Sequence, residues 1–401
     1  MRISGAKNAA LPVMAATLLA PGVHRLRNVP RLRDTQTFAR VLELLGAKVA
    51  FEDNLFTIDT QGVNSVEAPY DLVKTMRASI YVLGPLLARF GEARVSLPGG
   101  CAWGPRPVNL HLSGLQAMGA PLEIEHGYIV GRKVKLKGAT IGFDVVSVGA
   151  TAQLMMAAVL AEGSTVLENV ALEPDVTALG EVLVGCGARI EGLGSRRLTI
   201  HGVRSLKPID ATIIPDRIEA ATFAAATAMT GGKVRLEGVV PDHFEAALRK
   251  LEEAGCSLQR GADTVSITAP ERPAAVNVVT QPFPGFPTDM QAQMIAVAAV
   301  ATGTSVIEDT IYVDRFTHVP ELARMGARVE LKGNVAVVTG VEQLSGAQVM
   351  ATDLRASASL VMAALAAHGE TVIDRIYHLD RGYEALEKKL SALGAGIERI
   401  R

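Results

Sequence analysis

The sequence predicts an α/β protein made from one short unit used six times, on three observations. A β-branched segment follows a glycine at Gly22, Gly91, Gly163, Gly232, Gly303 and Gly369, and the interval of about 70 residues suits a structural repeat. About 25 residues after each comes a helix-ending glycine beside small residues: Gly46, Gly119, Gly187, Gly255, Gly326 and Gly394. At 401 residues the chain exceeds what one core organises, so two domains are expected.

Each unit reads as helix, strand, helix, strand, strand. The first helix is Ala-rich and apolar, as in Leu154 to Ala161 and Met294 to Ala301. Such runs fall short of the ~20 apolar residues of a membrane span and read as buried helices. In the second helix Phe38, Val41, Leu42 and Leu45 keep the i, i+3, i+4, i+7 spacing of one apolar stripe. Residues 47–53 and 55–60 then read as a hairpin. The sixth unit lacks a return strand, and the residues upstream of Ser4 are expected to complete it, joining the two termini in one sheet.

Net charge is −1 and aromatic content 4%, which argues against a nucleic-acid surface and for a small-molecule ligand. Of three cysteines, Cys186 and Cys256 sit beside capping glycines and read as packing residues. A disulfide framework is not expected, and the N-terminal residues do not read as a signal peptide. The expectation is a reduced, cytoplasmic protein with no membrane segment, no nucleic-acid partner and no obligatory protein partner.

Two features carry chemistry. Pro98 to His111 holds Cys101 and Arg106 among glycines and prolines, a shaped loop in which a nearby guanidinium favours the thiolate. Second, the apolar helices start at Lys7-Asn8, Arg77, Gly149, Asp216-Arg217, Asp289 and Arg355, each about 15 residues before its repeat glycine, the length of a four-turn helix. Helix N-termini gathered on one face attract anions, and Lys7, Arg77, Arg217 and Arg355 add charge. Two three-unit domains are then expected to face each other across an anionic-ligand cleft. Asp289 follows the stiff segment Pro282 to Thr288, which aims a carboxylate among cations as a candidate general base.

Ser4-Gly-Ala-Lys-Asn, the Cys101 loop, Phe286-Pro-Thr-Asp-Met-Gln291, Arg315-Phe-Thr-His318, Asp353-Leu-Arg-Ala-Ser357 and Asp380-Arg-Gly-Tyr383 together resemble the UDP-N-acetylglucosamine 1-carboxyvinyltransferases. The resemblance covers essentially the whole chain. It implies a two-domain inside-out α/β barrel of six βαβαββ units, three per domain, with residues 1–7 and 216–401 in one domain and 8–215 in the other. It implies transfer of the enolpyruvyl group of phosphoenolpyruvate to the 3'-hydroxyl of UDP-N-acetylglucosamine, opening peptidoglycan synthesis, with no cofactor or metal.

By motif, Cys101 is the proton donor or assists product release, and its thiol is the group fosfomycin alkylates. Asp289 is the base. Lys7, Arg106 and Arg381 hold phosphoenolpyruvate, with Arg77, Arg315 and Arg355 in the same cationic set. Asn8 touches the sugar; Pro107, Val108, Asn109, Leu110, Ser147, Val148 and Gly149 hold the uridine diphosphate, and Ile311 completes the substrate contacts. Asn109, Val145 and Asp314 depart from the usual residues, which bears on nucleotide affinity. The rival readings are enolpyruvyl transfer to another acceptor, as in the shikimate branch, a catalytically silent paralogue, and a repeat scaffold that binds protein or RNA.

Overall fold

A computed structural model describes residues 1–74, 76–97 and 108–400, with Arg77 described by its backbone alone. The chain forms two compact units, Met1–Ser4 with Pro215–Arg401, and Gly5–Ile214. Lys7, expected in the first of these, lies in the second, because it opens the Lys7–Ala16 helix whose Ala9, Ala10, Val13 and Met14 fill the second unit's core.

Among the described residues the strands make seven sheets of two to four strands, four of them mixed and none closing on itself. Four share one order. In the first, Asp210–Thr212 runs parallel to Val23–Arg27, which pairs antiparallel with Leu55–Asp59 and through it with Lys48–Glu52. The hairpin between the last two turns at Asp53 and Asn54, with φ of 44° and 60°, the positive pair that a two-residue turn needs to match strand twist. Sheets led by Ala93–Ser96, Ser164–Glu168 and Thr304–Glu308 repeat the order. All twelve punctuating glycines have positive φ, from 69° at Gly91 to 127° at Gly22.

The N-terminal residues do not complete the last unit. Met1 to Ile3 line the parallel edge of Lys233–Glu237: Ile3 N–H donates to the Glu237 carbonyl at 3.0 Å, and Glu237 N–H donates to the Met1 carbonyl at 2.8 Å. The physical reason is an open edge. Three of the other four hairpin sheets draw a parallel neighbour from the segment before their own helix and the fourth takes Asp210–Thr212; Met1 to Ile3 supply the neighbour here, while residues 395–400 form no strand to be joined.

Helices lacking a polar face belong in a core. In the Pro215–Arg401 unit the Arg217–Thr230, Gln291–Val300 and Leu354–Ala366 helices pack on one another, and every residue of Gln291–Val300 is buried. In the Gly5–Ile214 unit Val148–Ala158 packs against Lys7–Ala16, Leu83–Phe90 and Asn109–Ala117. A Cβ at Gly84 would stand 2.8 Å from the Gln153 carbonyl oxygen, so glycine sets that helix spacing. Phe38, Val41, Leu42 and Leu45 are all fully buried. Among the described residues no helix is long and apolar enough to cross a membrane.

One buried histidine makes the Gly5–Ile214 unit sensitive to acid. His24 Nδ1 accepts the Ile209 N–H at 2.9 Å, and its Nε2 lies 3.1 Å from the Ala20 carbonyl. Burial pushes its pKa down to about 4, with the Arg89 charge adding to the effect. The unfolded chain binds the proton more readily, so stability is full above about pH 6.5 and falls as pH drops toward 4. At pH 5 this histidine should cost about 2 kcal/mol. Denaturant melts at pH 7.5 and 5.0 on the protein and on His24→Gln test this; equal pH slopes would refute it.

Candidate active site

The Pro215–Arg401 unit gathers its charges at the start of its central helices. Pro287 ends the stiff segment and a single 3₁₀ turn, Thr288–Met290, sets Asp289 just ahead of the Gln291–Val300 helix. Asp289 Oδ1 accepts from Arg315 Nη1 at 2.8 Å, and its Oδ2 from Arg355 Nη2 at 3.0 Å. The carboxylate side chain keeps 24% of its surface exposed, against 6% and 1% for the two guanidinium side chains. A partly open carboxylate clamped from behind by buried cations is held in one orientation and still reachable.

Arg355 follows Asp353, whose side chain caps the Leu354–Ala366 helix by accepting the N–H groups of Arg355 and Ala356 at 2.8 and 3.2 Å. Burial opposes its charge, but Asp289, Tyr383 and Asp216 outweigh that, so its pKa stands above the usual arginine range. The Arg355 guanidinium lies 5.3 Å from the Tyr383 ring centre. Tyr383 is itself fixed: Gln293 Nε2 donates to its hydroxyl at 3.1 Å. Thr222 spends its own proton on the Ile218 carbonyl at 2.7 Å, so its oxygen accepts from the Tyr383 hydroxyl at 2.9 Å. A Cβ at Gly382 would stand 2.4 Å from Leu354 Cδ1, which seats the Arg381-Gly382-Tyr383 turn on the start of Arg355's helix. His318 nearby is buried and pushed down to about 3 by burial, with Arg315 adding to it, so it stays neutral.

In the Gly5–Ile214 unit Lys7 is buried at its helix start, 3.5 Å from Asp34 Oδ2, and Asn8 follows, partly exposed. Ser147 caps Val148–Ala158, its side chain accepting the Ala150 N–H at 3.2 Å. Gly149 sits close to His111: a Cβ there would be 3.1 Å from His111 Nε2. That close approach joins Ser147, Val148 and Gly149 to the Asn109–Ala117 helix, which carries Asn109 and Leu110 and is preceded by Val108. Cys101, Arg106 and Pro107 lie outside the described residues, as does the side chain of Arg77.

Three comparisons bear on this arrangement. The family model for EPSP synthase (3-phosphoshikimate 1-carboxyvinyltransferase) matches residues 1–390. A UDP-N-acetylglucosamine 1-carboxyvinyltransferase of Geobacter metallireducens is 56% identical over 399 residues, covering 100% of this chain and 96% of its own. The chain belongs to the UDP-N-acetylglucosamine 1-carboxyvinyltransferase family. A relative of the same name from Dichelobacter nodosus is also 56% identical, over 99% of this chain and 95% of its own. Among solved structures, the enolpyruvyl transferase NikO from Streptomyces tendae is similar at a TM-score of 0.89 and 29% identity, covering 99% of this chain and 95% of its own. EPSP synthase from Acinetobacter baumannii, at 18% identity and a TM-score of 0.76 over 99% of this chain and 96% of its own, shares the α/β fold.

The structure brings Asp289, Arg315, Arg355 and the Arg381 turn together in one unit, and Val108 to Leu110 with Ser147 to Gly149 in the other. Sequence reasoning passed over Asp34, the partner of Lys7, and the residues behind Arg315. Neither carries a local motif; only the fold pairs Lys7 with a carboxylate 27 positions away.

Proposed function

We propose that this chain transfers the enolpyruvyl group of phosphoenolpyruvate to the 3'-hydroxyl of UDP-N-acetylglucosamine and releases phosphate, the first committed step of peptidoglycan synthesis. The observation that carries the reading is Asp289, a part-exposed carboxylate oriented by two buried arginines, in a chain 56% identical along its whole length to named enzymes of that activity.

The sugar hydroxyl gives its proton to Asp289 as its oxygen bonds to C2 of phosphoenolpyruvate and C3 takes up a proton. The tetrahedral intermediate then loses phosphate from C2 and a proton from C3, which restores the C2–C3 double bond, now as an enol ether of the sugar. Cys101 supplies the C3 proton or assists product release. Lys7, Arg106 and Arg381 hold phosphoenolpyruvate, with Arg77, Arg315 and Arg355 in the same set, because a ligand of roughly three negative charges must be held as charge moves to the departing phosphate. Pro107 to Leu110 and Ser147 to Gly149 hold the nucleotide, Asn8 the sugar, and Ile311 completes the substrate contacts. Burial pushes the Cys186 and Cys256 thiols up to about 11, so thiol chemistry at neutral pH falls to Cys101. With this reading go a cytoplasmic location and an inside-out barrel of six βαβαββ units, three per domain. The shared order of four sheets and the packing of apolar helices in each unit support that architecture.

Phosphate release from phosphoenolpyruvate is expected to require UDP-N-acetylglucosamine, to fail with shikimate 3-phosphate, and to stop after fosfomycin with one adduct, on Cys101. Release driven by shikimate 3-phosphate instead would refute the acceptor, and absence of release with both proposed substrates would favour a silent paralogue.

A further inference from the structure

Arg315 is held from behind by a chain of hydrogen bonds that ends on a buried carboxylate. Its Nη1, which donates to Asp289, also lies 3.1 Å from Thr288 Oγ1. Thr288 donates in turn to Asp309 Oδ2 at 2.7 Å. A guanidinium can only donate and an ionised carboxylate can only accept, so the single Thr288 proton points to Asp309 and its lone pair to Arg315. The direction of the relay is therefore fixed.

Asp309 is fully buried, directly after the Thr304–Glu308 strand. Its other oxygen, Oδ1, accepts from Thr280 Oγ1 at 2.8 Å and from the backbone N–H groups of Ile311 and Tyr312 at 3.0 and 2.9 Å. One side chain thus ties together three segments. Thr280 comes from the end of the neighbouring strand, Thr288 from the turn that aims Asp289, and Ile311 and Tyr312 from the loop leading to Arg315. Four donors in place hold this buried side chain rigid.

We propose that Asp309 is a positioning residue for the transfer reaction: through Thr288 it holds Arg315 against Asp289, and through the Ile311 and Tyr312 amides it shapes the loop that meets the nucleotide sugar. This rests on the function proposed above. It acts through other groups and touches no substrate. The two oxygens divide the work, Oδ2 serving the base and Oδ1 the loop, and that division can be measured.

Thr288→Val keeps the side-chain shape but breaks the relay while leaving the Oδ1 bonds intact. It should lower kcat about tenfold or more, the scale of a small misplacement of a reacting group, with KM for UDP-N-acetylglucosamine within about threefold of wild type. Thr288→Ser, which retains the hydroxyl, should recover most of that loss. Asp309→Asn disturbs both oxygens and should lower kcat and raise KM together. A Thr288→Val chain that matches wild-type kcat, or one that Thr288→Ser does not rescue, overturns the relay while the proposed function stands. Asp309→Asn with unchanged KM overturns the loop assignment. A wild-type chain that releases no phosphate with the two substrates overturns the function and the relay with it. Melting temperature alone would move for a purely structural contact; the kcat and KM split would not.

Discussion

Asp289→Asn should lower turnover by about 10²–10⁴-fold, the usual range for removing a positioned base, while UDP-N-acetylglucosamine still binds. The amide has nearly the carboxylate's shape but cannot take the sugar's proton. It also cannot serve both arginines, since Oδ1 and Oδ2 of Asp289 each accept a guanidinium hydrogen bond at present, and the amide nitrogen donates. Arg315 or Arg355 is then left facing a donor, so some stability is lost as well. Asp289→Ala is the harsher change: it strips both buried cations of their counter-charge, which costs about 3–5 kcal/mol for a broken buried pair. Titration calorimetry with the nucleotide sugar, beside steady-state phosphate release, separates binding from proton transfer. Near-normal turnover in Asp289→Asn would remove it as the base.

The second large effect concerns stability alone. Glu219, 2% exposed, is paired with Lys389 from the Leu386–Ala392 helix. Its Oε2 accepts the Ser4 N–H at 2.7 Å, and Lys389 Nζ donates to Ser4 Oγ at 2.6 Å. Burial raises the Glu219 pKa, and Lys389 works against that rise. Lys389→Met leaves a buried carboxylate with no cation and should cost about 3–5 kcal/mol near neutral pH.

The sign of the pH effect follows from linkage. A carboxyl whose folded pKa is raised contributes stability at low pH that is lost as pH rises through the folded value. Without the lysine that raised value climbs further, so the deficit of Lys389→Met against wild type should shrink as pH falls. Urea melts of the two proteins compared at each pH, from 7.5 down to 5, test this. A deficit independent of pH would mean that Glu219 is not the group left exposed to the loss. The double change Glu219→Gln with Lys389→Met should recover much of the stability, because no charge is then buried alone.

Periodicity and punctuation are local properties, and they were legible. The stripe of Phe38, Val41, Leu42 and Leu45 became a buried helix face, and the twelve glycines took the left-handed conformations that end helices and turn into strands. The position of Asp289 just ahead of an apolar helix was legible for the same reason: proline and glycine before it fix the local path of the chain. The pairing of Met1 to Ile3 was not legible. A free strand edge is defined by what the rest of the fold leaves unpaired, and the edge of Lys233–Glu237 lies more than two hundred residues from the segment that fills it.

Residues that act through others were also hidden. Asp309 and Asp34 have no motif because what defines them is the donor that tertiary packing brings to each, Thr288 to one and Lys7 to the other. By itself the sequence determined the α/β class, the punctuating glycines, the apolar helices with charge at their starts, and a family resemblance that whole-length identity bears out. Only the tertiary structure decided which carboxylate faces which cation and which strand closes which edge. Hydrogen bonds and buried charges are satisfied in space, and a partner far along the chain leaves no mark on the residues next to either end.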